Sequence, residues 1–270
     1  MFTINNLTYD YEKNSQALSN INMDFSKANI IGIIGSNGSG KSTLFMNLMG
    51  ILKPTGGEIL FDGKKLKHDK KSLYNLRKDV GIVFQDPEKQ IFYSRVYDDL
   101  AFALRNIGTD ETIIKEKIRR ALIAVNGIDF INKPVHFLSY GQKKRVAIAS
   151  VISMENKMVL LDEPTAGLDP ISTKHIVEII KNLKDRDVKV VISSHDMNLI
   201  YEICDYVYIL DKGKITQEGI TEDVFTNEDN IIKAGLELPW LVKIHKNMGI
   251  PLFKNEELLY EYWKKSALNN

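Results

Sequence analysis

Apolar positions along the 270-residue chain follow two alternating patterns, short β-branched runs and longer segments with helical spacing. Thr3–Tyr9 alternates apolar and polar residues, as a strand with one buried face does. Asn29–Ile34 (NIIGII) is a compact run bounded by glycine, the pattern of a strand buried on both faces. Gly57–Phe61, Asp79–Phe84, Met158–Leu161, Val188–Ile192 and Tyr206–Leu210 predict further strands. Ser42–Ile51 predicts a helix ending near Lys53-Pro54. Ile176, Val177, Ile179, Ile180 and Leu183 put an apolar stripe on a second helix, over Ser172–Lys184. Buried strands alternating with helices predict an α/β fold around a largely parallel sheet.

The stretch from about Glu88 to Glu155 departs from this rhythm. It has no convincing strand and several helical patterns, including Glu111–Val125, so it is expected to be a helical insertion. Beyond about Thr221 the pattern changes again, to a mixed tail with Leu236, Leu238, Trp240 and Leu241 and an amphipathic stretch over Glu256–Lys265. The expected organisation is one main unit at 1–220, with its core at 1–87 and 156–220 and an insertion at 88–155, followed by an extension at 221–270.

Composition narrows the class. At 44% hydrophobic and 26% charged residues the chain is ordinary globular material, neither disordered nor disulfide-stapled. Lys plus Arg (36) balances Asp plus Glu (35), which argues against a polyanion-coating protein, and no nucleic-acid partner is expected. The basic residues Lys64, Lys65, Lys67, Lys70, Lys71, Arg77 and Lys78 read as a solvated face. Cys204 is the single cysteine, which suits a reducing compartment. Met1–Asp10 lacks a basic region followed by an apolar stretch, and no run of ~18 apolar residues occurs. The expectation is a soluble intracellular chain, free to dock on a membrane protein.

The candidate chemistry is concentrated in three motifs. Gly35-Ser36-Asn37-Gly38-Ser39-Gly40-Lys41-Ser42 matches G-x-x-x-x-G-K-[ST], with a predicted strand before it and a predicted helix after it. Its glycines let backbone N–H groups converge on phosphate oxygens at a helix N-terminus. Lys41 is expected to reach the β- and γ-phosphates, and the Ser42 hydroxyl a Mg²⁺ ion. Met158-Val-Leu-Leu-Asp162-Glu163 is a hydrophobic strand ending in two carboxylates, one for the metal and one for an attacking water. Ser139 with Gln142 three residues later is a capping box ahead of a helical run, and a helix start is also an anion site.

The order Gly35 to Thr43, Gln85, Leu138 to Gln142, Asp162-Glu163, Ala166-Gly-Leu-Asp169 and His195 resembles the nucleotide-binding subunits of ABC transporters, over about residues 1 to 220. One departure is Tyr140, where the usual signature has glycine. The resemblance implies a P-loop NTPase (RecA-like) core, an N-terminal antiparallel β subdomain, an inserted helical subdomain and a small C-terminal extension. It also implies roles. Tyr11, with Tyr9 as the neighbouring alternative, would stack on adenine. Residues Gly35 to Thr43 would hold the phosphates. Gln85 would touch Mg²⁺ and the attacking water, and Asp162 would hold Mg²⁺ through water. Glu163 would be the general base and His195 would contact the γ-phosphate. Ser139, Gly141 and Gln142 would complete the site of an opposing subunit, with Asp169 at that interface. ATP and Mg²⁺ are the implied cofactors.

The wording of Val83 to Phe92, of Leu138 to Ala149 and of Ala166 to Pro170 is similar to energy-coupling-factor importers, most of all to their cobalt/nickel ATPase subunits. A vitamin importer and a soluble ATPase switch are the alternatives. The implied partners are a second ATPase, identical or homologous, a transmembrane subunit and a separate substrate-binding membrane subunit. The implied location is the cytoplasmic face of the cell membrane. The transmembrane subunit is expected to dock at Pro87–Tyr97, with Ile91 and Phe92 as contacts. The five histidines and one cysteine are scattered, so the transported ion is not expected to bind this chain. In the tail, Leu236, Trp240 and Trp263 are read either as a dimer contact or as packing on the chain's own core.

Overall fold

The computed structural model describes residues 1–12 and 15–268. A six-stranded sheet forms the centre, in the order β10-β9-β3-β8-β7-β6. Strands β3 (Ile30–Ile34), β6 (Val80–Val83), β7 (Met158–Asp162), β8 (Lys189–Ser194) and β9 (Tyr206–Asp211) run parallel, and β10 (Lys214–Ile220) closes one edge antiparallel to β9. Ile34 lies opposite Ser194, and Asp162 opposite Ser193, so the carboxyl ends of the parallel strands share one border.

The β-branched runs predicted as strands are buried on both sides. Ile31, Ile33, Leu160, Val191 and Tyr208 pack on one face, in a core shared with α1 (Lys41–Leu48) and a second sheet. That sheet is antiparallel, ordered β2-β1-β4-β5, from β1 (Phe2–Asp10), β2 (Gln16–Asp24), β4 (Gly56–Phe61) and β5 (Lys64–Lys65). Helix α1 stops short of the predicted end at Ile51. Gly50 takes a φ of 62°, the left-handed cap conformation, and a Cβ there would lie 2.3 Å from Leu73 Cδ2. Leu73 belongs to α2 (Lys70–Asp79), whose basic residues are exposed.

The opposite face carries Ile30, Ile34, Leu161, Val190, Ile192 and Ile209. Helices α3 (Val96–Asn106), α4 (Glu111–Ala124) and α5 (Tyr140–Ser153) pack together there through Leu100, Leu104, Ile118, Leu122, Val146 and Ile148. The same core takes in α6 (Pro170–Lys184) and α7 (Met197–Ile203). It extends into the tail, made of α8 (Thr221–Thr226), α9 (Glu228–Lys233), α10 (Trp240–Met248) and α11 (Glu256–Leu268). Phe225, Ile231, Leu236, Leu238 and Val242 are buried in it, and the Phe225 ring meets Tyr201 edge-on at 5.7 Å. Trp263, at 59% exposure, and Trp240 stay outside. Leu236 therefore packs on its own chain, while Trp240 and Trp263, with Met248 and Tyr260, remain exposed.

Ile91 requires a correction. It is 8% exposed and belongs to the helical core, so it reaches the surface only as part of the lining of a cleft of about 290 Å³ shared with Phe92 and Tyr93. Its neighbour Phe92 is 66% exposed and clusters with Tyr93 and Phe102, at ring separations of 5.0 and 4.9 Å. Buried Asp99 accepts hydrogen bonds from the backbone N–H groups of Phe92 and Tyr93, which turns Ile91 inward and Phe92 outward. Among the described residues no helix is long and apolar enough to cross a membrane.

Candidate functional site

The loop after β3 is shaped by contacts that leave no room for side chains. A Cβ on Gly35 would lie 2.2 Å from Leu210 O, and Gly40 takes a φ of 110° that a side chain would strain. No side chain caps α1, so its first-turn N–H groups are free to meet an anion. Lys41 is buried and donates from Nζ to Gly35 O at 2.7 Å and Ser36 O at 3.1 Å. The same ammonium lies 3.7 Å from Glu163 Oε1. Burial lowers the Lys41 pKa, while the Glu163 and Asp162 carboxylates oppose that shift.

Strand pairing places the acids. Asp162, the last residue of β7, is buried and its Oδ1 accepts a hydrogen bond from Ser193 Oγ on β8. Glu163 follows with a φ of 47°, a left-handed conformation costing of order 1–3 kcal/mol in a residue with a side chain. Its backbone N–H donates to Ser193 O at 3.0 Å, which holds the turn. The carboxylate is divided in use. Oε2 is bonded to His195 Nδ1 at 2.9 Å, while Oε1 is buried, faces Lys41 and has no hydrogen-bond partner. The bond to Oε2 makes Nδ1 the protonated nitrogen of His195 and leaves Nε2 to face outward. With no hydrogen bond on it, Oε1 has a lone pair open to a proton from water.

One cleft of about 350 Å³ is lined by Tyr11, Asn37, Gly38, Ser39, Gly40, Lys41, Ser42, Thr43, Gln85 and Glu163, with Ala17 beside them. Tyr11 is 51% exposed, with its hydroxyl 3.0 Å from Thr43 Oγ1 and its ring edge-on to Tyr9 at 5.1 Å. Tyr11 therefore stands half exposed at the cleft, whereas Tyr9 is not among the residues that line it. Ser36 and His195 line an adjoining cleft of about 450 Å³, shared with Asn198, Trp240 and Lys243. Of the three residues expected at a Mg²⁺ ion, Ser42 and Gln85 line the cleft, while Asp162 stands outside its lining, buried and bonded to Ser193. Oxygen donors of this kind suit Mg²⁺, which keeps waters and needs few protein ligands. No group of three or more His, Cys, Asp or Glu suited to a metal ion occurs among the described residues.

Ser139, Gly141, Gln142 and Asp169 stand outside the lining of this cleft. The expected capping box is present: Ser139 Oγ accepts from Gln142 N at 3.3 Å and Gln142 Oε1 accepts from Ser139 N at 3.0 Å. Asp169 caps α6, accepting from Ser172 N at 2.9 Å. Tyr140 points back into its own chain, its hydroxyl donating to Gln85 O at 3.2 Å.

Sequence reasoning missed Ser193, whose signal was the Ser-Ser pair ending β8, and it missed Lys144. Lys144 shares a helix face with Ile148 and Val151 at helical spacing, a buried stripe in which a lysine is out of place. It is 0% exposed, and its Nζ donates to Gln85 O and, at 3.2 Å, to Glu163 O. Burial pushes its pKa down to about 8, against the pull of the Asp162, Asp86 and Glu163 carboxylates.

Comparison with known proteins agrees with this geometry. The ABC transporter family profile matches residues 18–166. The cobalt import ATP-binding protein CbiO of Salmonella typhimurium is 45% identical over 99% of this chain and 98% of its own length. The energy-coupling factor transporter ATP-binding protein EcfA of Methanocaldococcus jannaschii is 44% identical over 91% of this chain and 90% of its own. The structure of cbiO1 from Clostridium perfringens, described as part of the ABC transporter complex cbiONQ, superposes with a TM-score of 0.77. It is 39% identical and covers 91% of this chain and 98% of that one. A dimeric ATP-binding cassette in a post-hydrolysis state with ADP and Pi has a TM-score of 0.73 at 28% identity, over 82% of this chain and 99% of that one. The chain belongs to the ABC transporter family, as one of its ATP-binding, ATP-hydrolysing subunits of the energy-coupling-factor type.

Proposed function

We propose that this ATPase works as one half of a dimer on the cytoplasmic face of the cell membrane and drives an importer of cobalt or nickel ions. The observation that carries the catalytic part is Glu163, with one carboxylate oxygen engaged by His195 and the other in an ion pair with the Lys41 ammonium at 3.7 Å but free of hydrogen bonds. In this reading the loop from Gly35 to Thr43 holds the phosphates of ATP, and the ring of Tyr11 stacks on adenine. Ser42, Gln85 and Asp162 hold Mg²⁺, which supplies charge neutralisation on the phosphates. Glu163 takes the proton of the attacking water, and His195 presents Nε2 toward the γ-phosphate.

The helix start at Ser139, Gly141 and Gln142 is outside its own cleft, which supports its use against the ATP of an opposing subunit, with Asp169 at the joint. Residues 1–220 are the ATPase unit in this reading, and 221–270 an extension that adds to the dimer through Trp263 and the apolar residues near it. The exposed Phe92 face is the seat for a transmembrane subunit, with cargo chosen by a separate membrane protein. The cobalt assignment rests on similarity to CbiO along nearly the whole chain.

The test is Glu163→Gln in the chain and in its reconstituted transporter. ATP binding is expected to persist, turnover to fall at least 100-fold, as loss of a general base does, and an ATP-bound dimer to accumulate in sedimentation. Radiolabelled cobalt or nickel uptake is expected to stop with turnover. Wild-type turnover in the variant removes Glu163 as the base, and uptake of a vitamin in place of either ion overturns the cargo.

A further inference from the structure

The N-terminal end of α5 presents Tyr140 and Lys144 four residues apart, on one face of the helix. Both reach the same acceptor. Tyr140 Oη donates to the Gln85 carbonyl at 3.2 Å and Lys144 Nζ donates to it at 2.5 Å. Lys144 gives a second bond to the carbonyl of Glu163 at 3.2 Å. The Tyr140 ring lies over the turn at Gly167, where a Cβ would stand 3.4 Å from the ring and φ is 75°. One end of one helix thus touches the loop of Gln85, the strand end at Glu163 and the turn that leads to Asp169.

Packing alone does not account for Lys144. A wholly buried ammonium is costly, and an apolar side chain of similar volume fills such a space without that cost. What the charge adds is a pair of charge-assisted bonds to two backbone carbonyls, each roughly twice as strong as a neutral one. Those carbonyls belong to residues of the nucleotide site, yet neither Lys144 nor Tyr140 lines the cleft. They act through other residues.

We propose that Tyr140 and Lys144 form a clamp that fixes the signature helix to the backbones of Gln85 and Glu163, making both of them positioning residues for ATP hydrolysis. The inference rests on the nucleotide site proposed above. In that site the start of α5 faces the ATP of the opposing subunit, so the clamp joins the helix that reads one nucleotide to the residues that act on the other. Tyr140, where the family's usual signature has glycine, becomes a working part of this chain rather than a tolerated bulk.

Steady-state ATP turnover, equilibrium ATP binding and thermal unfolding of the full chain test the clamp. Tyr140→Phe removes one hydroxyl, Lys144→Met removes the ammonium at similar length, and Lys144→Arg keeps a cation. Tyr140→Phe is expected to lower kcat about threefold to tenfold, the value of one hydrogen bond, with KM and ATP affinity within about twofold. Lys144→Met is expected to lower kcat at least tenfold with ATP affinity kept, and Lys144→Arg to recover part of the loss. In the double variant the effect of Tyr140→Phe should shrink, because both donors act on one carbonyl. Wild-type kcat in Tyr140→Phe and Lys144→Met overturns the clamp. So does a parallel fall of kcat, ATP affinity and Tm that Lys144→Arg leaves unrepaired, the mark of a folding role. If Lys144→Met does not fold, the half-exposed Tyr140 decides the matter by itself. Failure of ATP to bind the wild-type chain is a different outcome, and it strikes the nucleotide site itself.

Discussion

Lys41 makes its bonds along its own loop, to Gly35 O and Ser36 O, so its ammonium organises the backbone that surrounds it. Charge-assisted bonds of this kind are worth about 1.5–3 kcal/mol each. Lys41→Ala is expected to weaken ATP binding at least tenfold in calorimetry, with unaltered affinity excluding the loop as the phosphate site. This loop was legible because its meaning is local: nine consecutive residues, Gly35 to Thr43, carry the whole device. Asp162 and Glu163 were legible for the same reason, as the polar end of an apolar run. Lys144 and Ser193 were not, because their partners are far along the chain, Lys144 reaching Gln85 and Ser193 reaching Asp162. No string of neighbours announces such a contact.

Among the elements, the central strands were easy to read and the border ones were not. Strands β3, β7 and β8 are buried along their whole length and so are written in isoleucine, valine and leucine. Strands β2 and β10 lie at sheet edges, β2 with only three buried residues and β10 alternating exposed and half-buried ones, and polar α2 keeps only Leu76 buried, so their runs do not rise above loop composition. The segment between β6 and α3 shows how a loop is fixed without regular structure. Gln90 accepts from Phe84 N at 2.9 Å and donates to Ile82 O at 3.2 Å, pinning the turn that bears Gln85. Asp99 then orients Phe92 outward. Phe92→Glu is expected to leave folding and ATP binding intact and to abolish co-purification with the transmembrane subunit. Full recovery of that complex places the docking face elsewhere.

Across the whole molecule, the extension is continuous with the ATPase core. Phe225 is buried against Tyr201, and the Trp240 backbone N–H donates to Asn198 Oδ1 at 2.9 Å, in the first turn of α7, the helix that follows His195. Phe225→Ala is expected to cost about 3–5 kcal/mol in unfolding experiments, the range for a large buried ring replaced by alanine. A loss below about 1 kcal/mol would show the tail to be a detachable appendage. The change of composition near Thr221 is visible in the sequence, but it marks a change of helix style within a shared interior and not a break in packing.

The alignment of β7 with β8 sets the spacing of Asp162, Glu163 and His195 more strictly than any loop does. Asp162 meets Ser193 and Ile34 meets Ser194 because the hydrogen-bond ladder counts residues one by one. A slip of one position in β8 would turn Ser193 and Ser194 to opposite faces. It would also carry His195 off the Glu163 carboxylate. Length changes in the connections between strands are therefore absorbable, whereas a single inserted residue inside β7 or β8 dismantles the machine while leaving every side chain present.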